Sequence, residues 1–233
     1  TEDFQVIVRD AITGAEKWRW EGKSSIDQAN GIALADFDKR NRLDIVCADG
    51  TGQGGTGHVH RLRDGKALWS VDVGGGVVQG PAIGDVDGDQ RLEILVCSRS
   101  KRLMCLDENG QEEWSFPSET EVITTPAIGD LDADGKTDIV FTSKDRRIYC
   151  LTLDGAYDAS LMPWPMISHD PQLTGCFFGA PFTPPALPSP AQIPNVYLDE
   201  ITGVHIGSNT VKGQITNNWY RPRRLEANIA VYT

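Results

Sequence analysis

The stretch that decides the fold is Pro126-Ala-Ile-Gly-Asp-Leu-Asp-Ala-Asp-Gly-Lys-Thr-Asp-Ile-Val-Phe141. Short apolar runs flank a knot of four carboxylates, which reads as strand, tight acidic loop, strand. Two earlier segments align with it: Gly31-Ile-Ala-Leu-Ala-Asp-Phe-Asp-Lys-Arg-Asn-Arg-Leu-Asp-Ile-Val46 and Pro81-Ala-Ile-Gly-Asp-Val-Asp-Gly-Asp-Gln-Arg-Leu-Glu-Ile-Leu-Val96. The anchors Asp36, Asp85 and Asp130 stand 49 and 45 residues apart. A fixed period of this size is the mark of a repeat architecture.

A second motif runs in phase with the first. Thr13-Gly14, Asp64-Gly65 and Asn109-Gly110 are each followed by a tryptophan, Trp18, Trp69 and Trp114, and a fourth pair, Asp154-Gly155, lacks one. Asn-Gly and Asp-Gly between apolar runs predict type I′ hairpins, whose two central residues both need positive φ. Alternating runs such as Arg102-Leu-Met-Cys-Leu106 and apolar runs such as Glu93-Ile-Leu-Val-Cys97 read as strands, and no dozen residues sustain helical spacing. About four strands per unit at a period of about 45 to 50 predict an all-β chain of β-propeller blades, about four of them visible. The recurring tryptophans are expected to pack between blades.

The acidic segments resemble FG-GAP repeats of the integrin α-subunit kind, and the turn-plus-tryptophan segments resemble quinoprotein-dehydrogenase-like repeats. Residues 163 to 175 are similar to the segment that closes bacterial exported propellers of this sort. The resemblance covers roughly residues 4 to 175 and implies seven or eight blades, so the visible chain is expected to be a partial propeller, a fragment or one completed by other chains.

The organisation follows from composition. Residues 1 to 160 carry 29 acids against 18 bases, while 161 to 233 carry four of each. Six prolines between Pro181 and Pro194 preclude helix or central strand. The expected division is propeller repeats over 1–175, a Pro-rich linker over 176–194, and a short β-rich tail over 195–233. That tail, with its Arg221, Arg223 and Arg224 patch, is read as a truncated immunoglobulin-like module or a docking arm. The net charge of −11 argues against nucleic acid, whose phosphates need clustered Lys and Arg. No apolar run reaches the length of a membrane span, and no leader is expected at Thr1.

Chemistry concentrates in the acidic loops. Hard Ca²⁺ takes six to eight oxygens at about 2.3 to 2.6 Å, and carboxylates converging from alternate loop positions suit it. Without a cation, like charges ~4 Å apart would cost about 4 kcal/mol per pair at an effective dielectric of 20. Asp130, Asp132, Asp134 and Asp138, with Gly135 at the turn, match the pattern throughout. Asp85, Asp87, Asp89 and Glu93 match with Gln90 in place of glycine. In the first loop Asp36, Asp38 and Asp44 remain, but Arg40 takes the third ligand place. Arg40 is expected to pair with Asp36 and Asp38, leaving that loop empty or weakly filled. Two calcium sites of structural purpose and a degenerate third are therefore expected, and because millimolar extracellular calcium favours export, the chain is expected outside the cell, in the periplasm or on the cell surface.

Other residues carry less. His58 and His60 share one strand face but have no Cys or carboxylate partner at metal-ligand spacing; His169 is expected to bond local backbone, and His205 sits in no motif. Five cysteines without Cys-x-x-Cys give no zinc or redox signature, though Cys97 and Cys105 flank a tight turn and are candidates to pair in an oxidising compartment. The Gly52 to Gly57 loop precedes no helix and no Lys-Ser/Thr, so it is no phosphate loop. No catalytic constellation is visible. The expected function is a calcium-stabilised, exported propeller that binds protein or glycan within a larger assembly. The alternatives are a polysaccharide lyase-like enzyme on a calcium-bearing propeller and, behind it, a fragment of a pyrroloquinoline quinone dehydrogenase.

Overall fold

A computed structural model describes residues 3–25, 31–50 and 56–177, together with the backbone of three strands in the tail. The chain divides into two units, Thr1–Gly179 and Ala180–Thr233.

The first unit is a series of antiparallel meanders. β1 (Asp3–Arg9) and β2 (Glu16–Ser25) form a two-stranded sheet. β3 (Ile32–Ala35), β4 (Asp44–Gly50), β5 (Gly57–Arg63) and β6 (Lys66–Asp72) form the first four-stranded sheet. β7 (Ala82–Gly84), β8 (Glu93–Ser98), β9 (Arg102–Leu106) and β10 (Glu112–Pro117) form the second. β11 (Ala127–Gly129), β12 (Lys136–Thr142) and β13 (Ile148–Ala156) form a three-stranded sheet. The described residues contain no α-helix, only a short 3-10 turn at Ala159–Leu161, and hence no helix able to cross a membrane. These sheets are the blades of a partial β-propeller.

Burial explains the sequence patterns. β4 and β8 are buried at every position, because each lies between neighbouring sheets, whereas β6 and β10 alternate between exposed and half-buried. The two-residue period of a strand then assigns side chains to opposite interfaces. Ile45 and Cys47 face the cluster holding Val6 and Leu62, while Val46 and Ala48 join the cluster of Ile83, Ile94, Val96 and Met104. Leu95 and Cys97 of β8 turn the other way, to Ile128, Ile139 and Phe141. Continuous apolar runs on β4 and β8 thus serve two cores at once.

The tryptophans pack between blades, as expected. A Cβ on Gly65 would lie 3.4 Å from Trp18 Cβ, and one on Gly110 would lie 2.9 Å from the Trp69 ring. The turn chemistry is less uniform than the sequence implies. Only Asp64-Gly65 has both central residues at positive φ, 49° and 74°; at Gly14 and Gly110 the glycine alone is left-handed. Asp154-Gly155 is no turn at all but lies inside β13. Gly155 is needed there because the Asp87 backbone approaches within 2.4 Å of where its Cβ would stand.

The segment after the 3-10 turn runs back along the inner strands. Ile83 and Trp164 exchange backbone hydrogen bonds of 2.8 and 3.1 Å, and Ile128 N–H donates to the Pro165 carbonyl at 2.8 Å. The His169 ring meets a side chain and not the expected backbone, its Nδ1 lying 3.1 Å from Asp170 Oδ2, while its main-chain N–H donates to Met166 O at 3.1 Å. All five cysteines are free: Cys97 and Cys105 sit in the same apolar cluster without pairing, since Cys97 lies opposite Leu103 and Cys105 opposite Leu95.

In the second unit β14 (Val196–Leu198), β15 (Thr210–Asn217) and β16 (Leu225–Ala230) form one antiparallel sheet. His205 and the Arg221, Arg223 and Arg224 patch lie outside the described residues, as do residues 51–55 of the Gly-rich loop.

Candidate metal centres

Each acidic segment joins the first two strands of its sheet, β3 to β4, β7 to β8 and β11 to β12, so the three loops occupy equivalent places. Their backbones are built alike. The leading aspartate accepts two loop amides: Asp36 from Arg40 and Asn41 at 3.1 and 2.6 Å, Asp85 from Gly88 and Gln90 at 2.7 and 2.9 Å, Asp130 from Asp134 and Gly135 at 3.1 Å each. Two left-handed residues bend each loop, Lys39 and Asn41, Gly88 and Gln90, Ala133 and Gly135. Gln90 and Asn41 therefore adopt the conformation for which the third loop uses glycine.

In the second loop Asp85, Asp87 and Glu93 each bring a carboxylate oxygen within 4.8 Å of the others, and in the third Asp130, Asp132 and Asp138 do the same. Asp89 and Asp134, expected at the third ligand place, stand outside these groups and accept the amides of Arg91 and Lys136 at 2.7 and 2.8 Å. The last carboxylate is anchored from behind in both: Val86 N–H donates to Glu93 Oε2 at 2.8 Å, and Leu131 N–H to Asp138 Oδ2 at 2.9 Å.

Electrostatics separates the two. Burial pushes the Glu93 carboxyl up to about 8, against the Val86 hydrogen bond and with help from Asp87, Glu113 and Asp85. Burial and the same Asp87 also raise Glu113. A crowd of carboxyl groups in which Asp85 and Glu93 are buried and Asp87 and Glu113 exposed is what a divalent ion would relieve. Asp138 is instead held low, first by the Thr152 hydroxyl, which donates at 2.6 Å, and then by Leu131 N–H. Both groups offer the hard oxygen ligands that Ca²⁺ prefers.

The first loop departs from expectation in an instructive way. Arg40 gives Asp36 only its backbone N–H, and among the described residues its guanidinium forms no ion pair. The charge comes from elsewhere. Arg42 and Arg63 reach Asp38 at 3.1 and 3.2 Å, and Arg61 Nε donates to Asp44 at 2.6 Å while Arg63 holds both Asp44 oxygens. Asp44, fully buried, occupies the place of Glu93 and Asp138, so arginines of β5 supply the positive charge there. Among the described residues Asp38 Oδ1 is one of two buried side-chain oxygens without a hydrogen-bond partner, the other being Thr137 Oγ1. The sequence hid this because Arg61 and Arg63 lie 17 and 19 residues beyond Asp44 and reach it only through the β4–β5 pairing.

The histidine pair also differs from its sequence reading. A carboxylate partner exists: Asp49 Oδ1 meets His58 Nδ1 at 3.1 Å and Asp49 Oδ2 meets His60 Nε2 at 3.1 Å. Asp49 lies opposite His58 in the β4–β5 ladder, a relationship no linear spacing rule detects.

Compared with known proteins, residues 57–162 match the family described as the lambda-carrageenase beta-propeller domain, a span holding both carboxylate groups. Among solved structures the chain is similar to BamB from Moraxella catarrhalis, at 23% identity and a TM-score of 0.41 over 61% of this chain and 38% of that one. No curated protein matches the chain.

Proposed function

We propose that the chain is a calcium-stabilised, exported propeller that binds protein or glycan as part of a larger assembly, with further blades supplied by other chains or by a longer protein. The observation behind it is the contrast among three equivalent loops: in two, no basic side chain among the described residues pairs with the gathered carboxylates Asp85, Asp87, Glu93 and Asp130, Asp132, Asp138, and in one the carboxylates are met by arginines. Charge balance at that place is therefore a requirement of the blade, and where arginine is missing Ca²⁺ meets it. The metals stiffen the blades, and recognition falls to the surface they hold in place. The FG-GAP likeness of the loops points the same way.

Calorimetric titration of the metal-stripped protein with Ca²⁺ tests this. Two sites are expected, one lost in Asp85→Asn and the other in Asp130→Asn. A heatless titration, with no calcium retained on equilibrium dialysis, overturns it.

A second reading is an enzyme acting on a polysaccharide. It rests on the family match, which names the propeller domain of a carrageenase. Release of shortened chains from λ-carrageenan by the purified protein would favour it; an unchanged polymer would leave the binding module.

A further inference from the structure

Asp49, His58 and His60 form one wall of a pocket of about 330 Å³ between β2 and the β4–β6 face, with Trp20, Glu21, Ala67 and Ser70 completing its lining. His60 bridges two groups there. Its Nε2 meets Asp49 Oδ2 at 3.1 Å, and its Nδ1 meets Ser70 Oγ at 2.8 Å. The Asp49 side chain is 1% exposed and that of His60 is 7% exposed, whereas Ser70 is open to solvent. Trp20 packs across the His60 ring at 4.8 Å, and His58 backbone N–H and Nδ1 both bond Asp49 Oδ1, at 3.0 and 3.1 Å.

The hydrogen-bond network assigns the tautomer. An ionised Asp49 only accepts, so the neutral His60 ring carries its proton on Nε2 and presents a lone pair at Nδ1. Ser70 O–H donates to that lone pair. A buried carboxylate thus orients an imidazole, which in turn takes the proton of an accessible hydroxyl; this is the arrangement that activates a serine, recognised by roles rather than by sequence order.

The other blades show that the fold itself does not need this. Counted from Asp44, Glu93 and Asp138, the place of Asp49 is taken by Ser98 and Ser143. In the ladders the place of His60, opposite Cys47, is taken by Met104 opposite Val96 and by Tyr149 opposite Phe141. Ser115 stands opposite Met104 as Ser70 does opposite His60, with no base beside it. Among the described residues, only this blade converts a packing position into a base and buries a carboxylate behind it.

We propose that Ser70 is a nucleophile that cleaves small carboxylic esters in this pocket, with His60 as its base and Asp49 as the residue that positions His60. Ser70 Oγ adds to the ester carbonyl carbon as its proton passes to His60 Nδ1, and the imidazolium forms against Asp49. Collapse breaks the bond to the alcohol oxygen, which leaves with the His60 proton. Water then attacks the acyl-serine through the same base, giving the acid and restoring Ser70. Ester and water become acid and alcohol, with no further reactant. The proposal stands apart from the calcium reading.

The test exposes the full chain, in calcium-containing buffer, to an alkyl fluorophosphonate and to p-nitrophenyl acetate, and maps adducts by mass spectrometry. Phosphonylation of Ser70 and ester hydrolysis are expected, both abolished in Ser70→Ala and lowered about 100-fold or more in His60→Gln. Asp49→Asn should lower the rate and shift its pH profile while Ser70 remains modifiable. Absence of a Ser70 adduct, or an adduct rate indifferent to His60→Gln in variants whose melting temperatures show them folded, overturns the proposal. Loss of calcium binding in Asp130→Asn leaves this labelling intact, so the two readings fail separately.

Discussion

Trp69 of one blade lies on Gly110 of the next: its Nε1–H donates to the Glu108 carbonyl at 2.9 Å, and its ring leaves no room for a side chain on the glycine. The indole therefore fixes the spacing of two blades by packing and by one directed bond. Gly110 is doubly constrained, since its φ of 80° disfavours any L side chain. Gly110→Ala is expected to lower the melting temperature by several degrees, corresponding to about 2 to 3 kcal/mol of strain and displaced packing. Gly14→Ala, also left-handed but with open space around it, should cost less. Equal melting temperatures for the two variants would show that the indole contact contributes nothing.

Calcium should stabilise the first unit by mass action. Saturation at about 100 times the dissociation constant contributes roughly 2.7 kcal/mol per site. Thermal melts should therefore rise with Ca²⁺ and fall with EDTA, and the rise should shrink by about half in Asp132→Asn. A calcium response unaltered by Asp132→Asn and by Asp87→Asn would place the ion somewhere other than these loops.

In EDTA the Glu93 carboxyl carries a pH signature. Burial raises its folded value to about 8 from an ordinary 4.5, so folding favours the protonated form. That contribution is fully present below pH about 4.5 and is lost as pH climbs through about 8, amounting to on the order of a few kcal/mol. Metal-free protein should thus soften between pH 5 and 8, and Glu93→Gln should abolish that slope while stabilising the metal-free form at neutral pH. Ca²⁺, which needs the ionised carboxylate, should flatten the same slope in the native sequence. Parallel pH–stability curves for Glu93→Gln and the parent would refute the assignment.

The blades were legible because their causes are local. Alternation in Arg102–Leu106, the acidic loops and the turn glycines each act within a dozen residues, and their period exposed the repeat. What stayed hidden acts across strands. Asp49 meets His58 and His60 only because β4 and β5 pair in one register, and Gly155 looks like a turn residue until the Asp87 backbone is seen against it. Arg40 misled for a related reason: its position in the loop is right for a ligand, but its side chain is not the one that reaches the carboxylates.

Arg61 makes the strongest demand on the first blade. Its guanidinium donates to buried Asp44 at 2.6 Å and to the Glu108 carbonyl at 2.6 Å, and stacks over Phe37 at 4.0 Å. Removing it leaves a buried carboxylate short of a partner, which typically costs about 3 to 5 kcal/mol, whereas replacing both charges by apolar groups is often near neutral. Arg61→Met should therefore destabilise far more than the double variant Arg61→Met with Asp44→Leu, the excess being limited only by Arg63, which also holds Asp44. Arg61 and Trp69 both donate to Glu108, so the Arg61→Met and Gly110→Ala effects should not add. Two double-mutant cycles on chemical denaturation, one per pair, measure the couplings, and strict additivity in each would mean that Asp44 draws no stability from Arg61 and that the two blades are not joined through the Glu108 carbonyl.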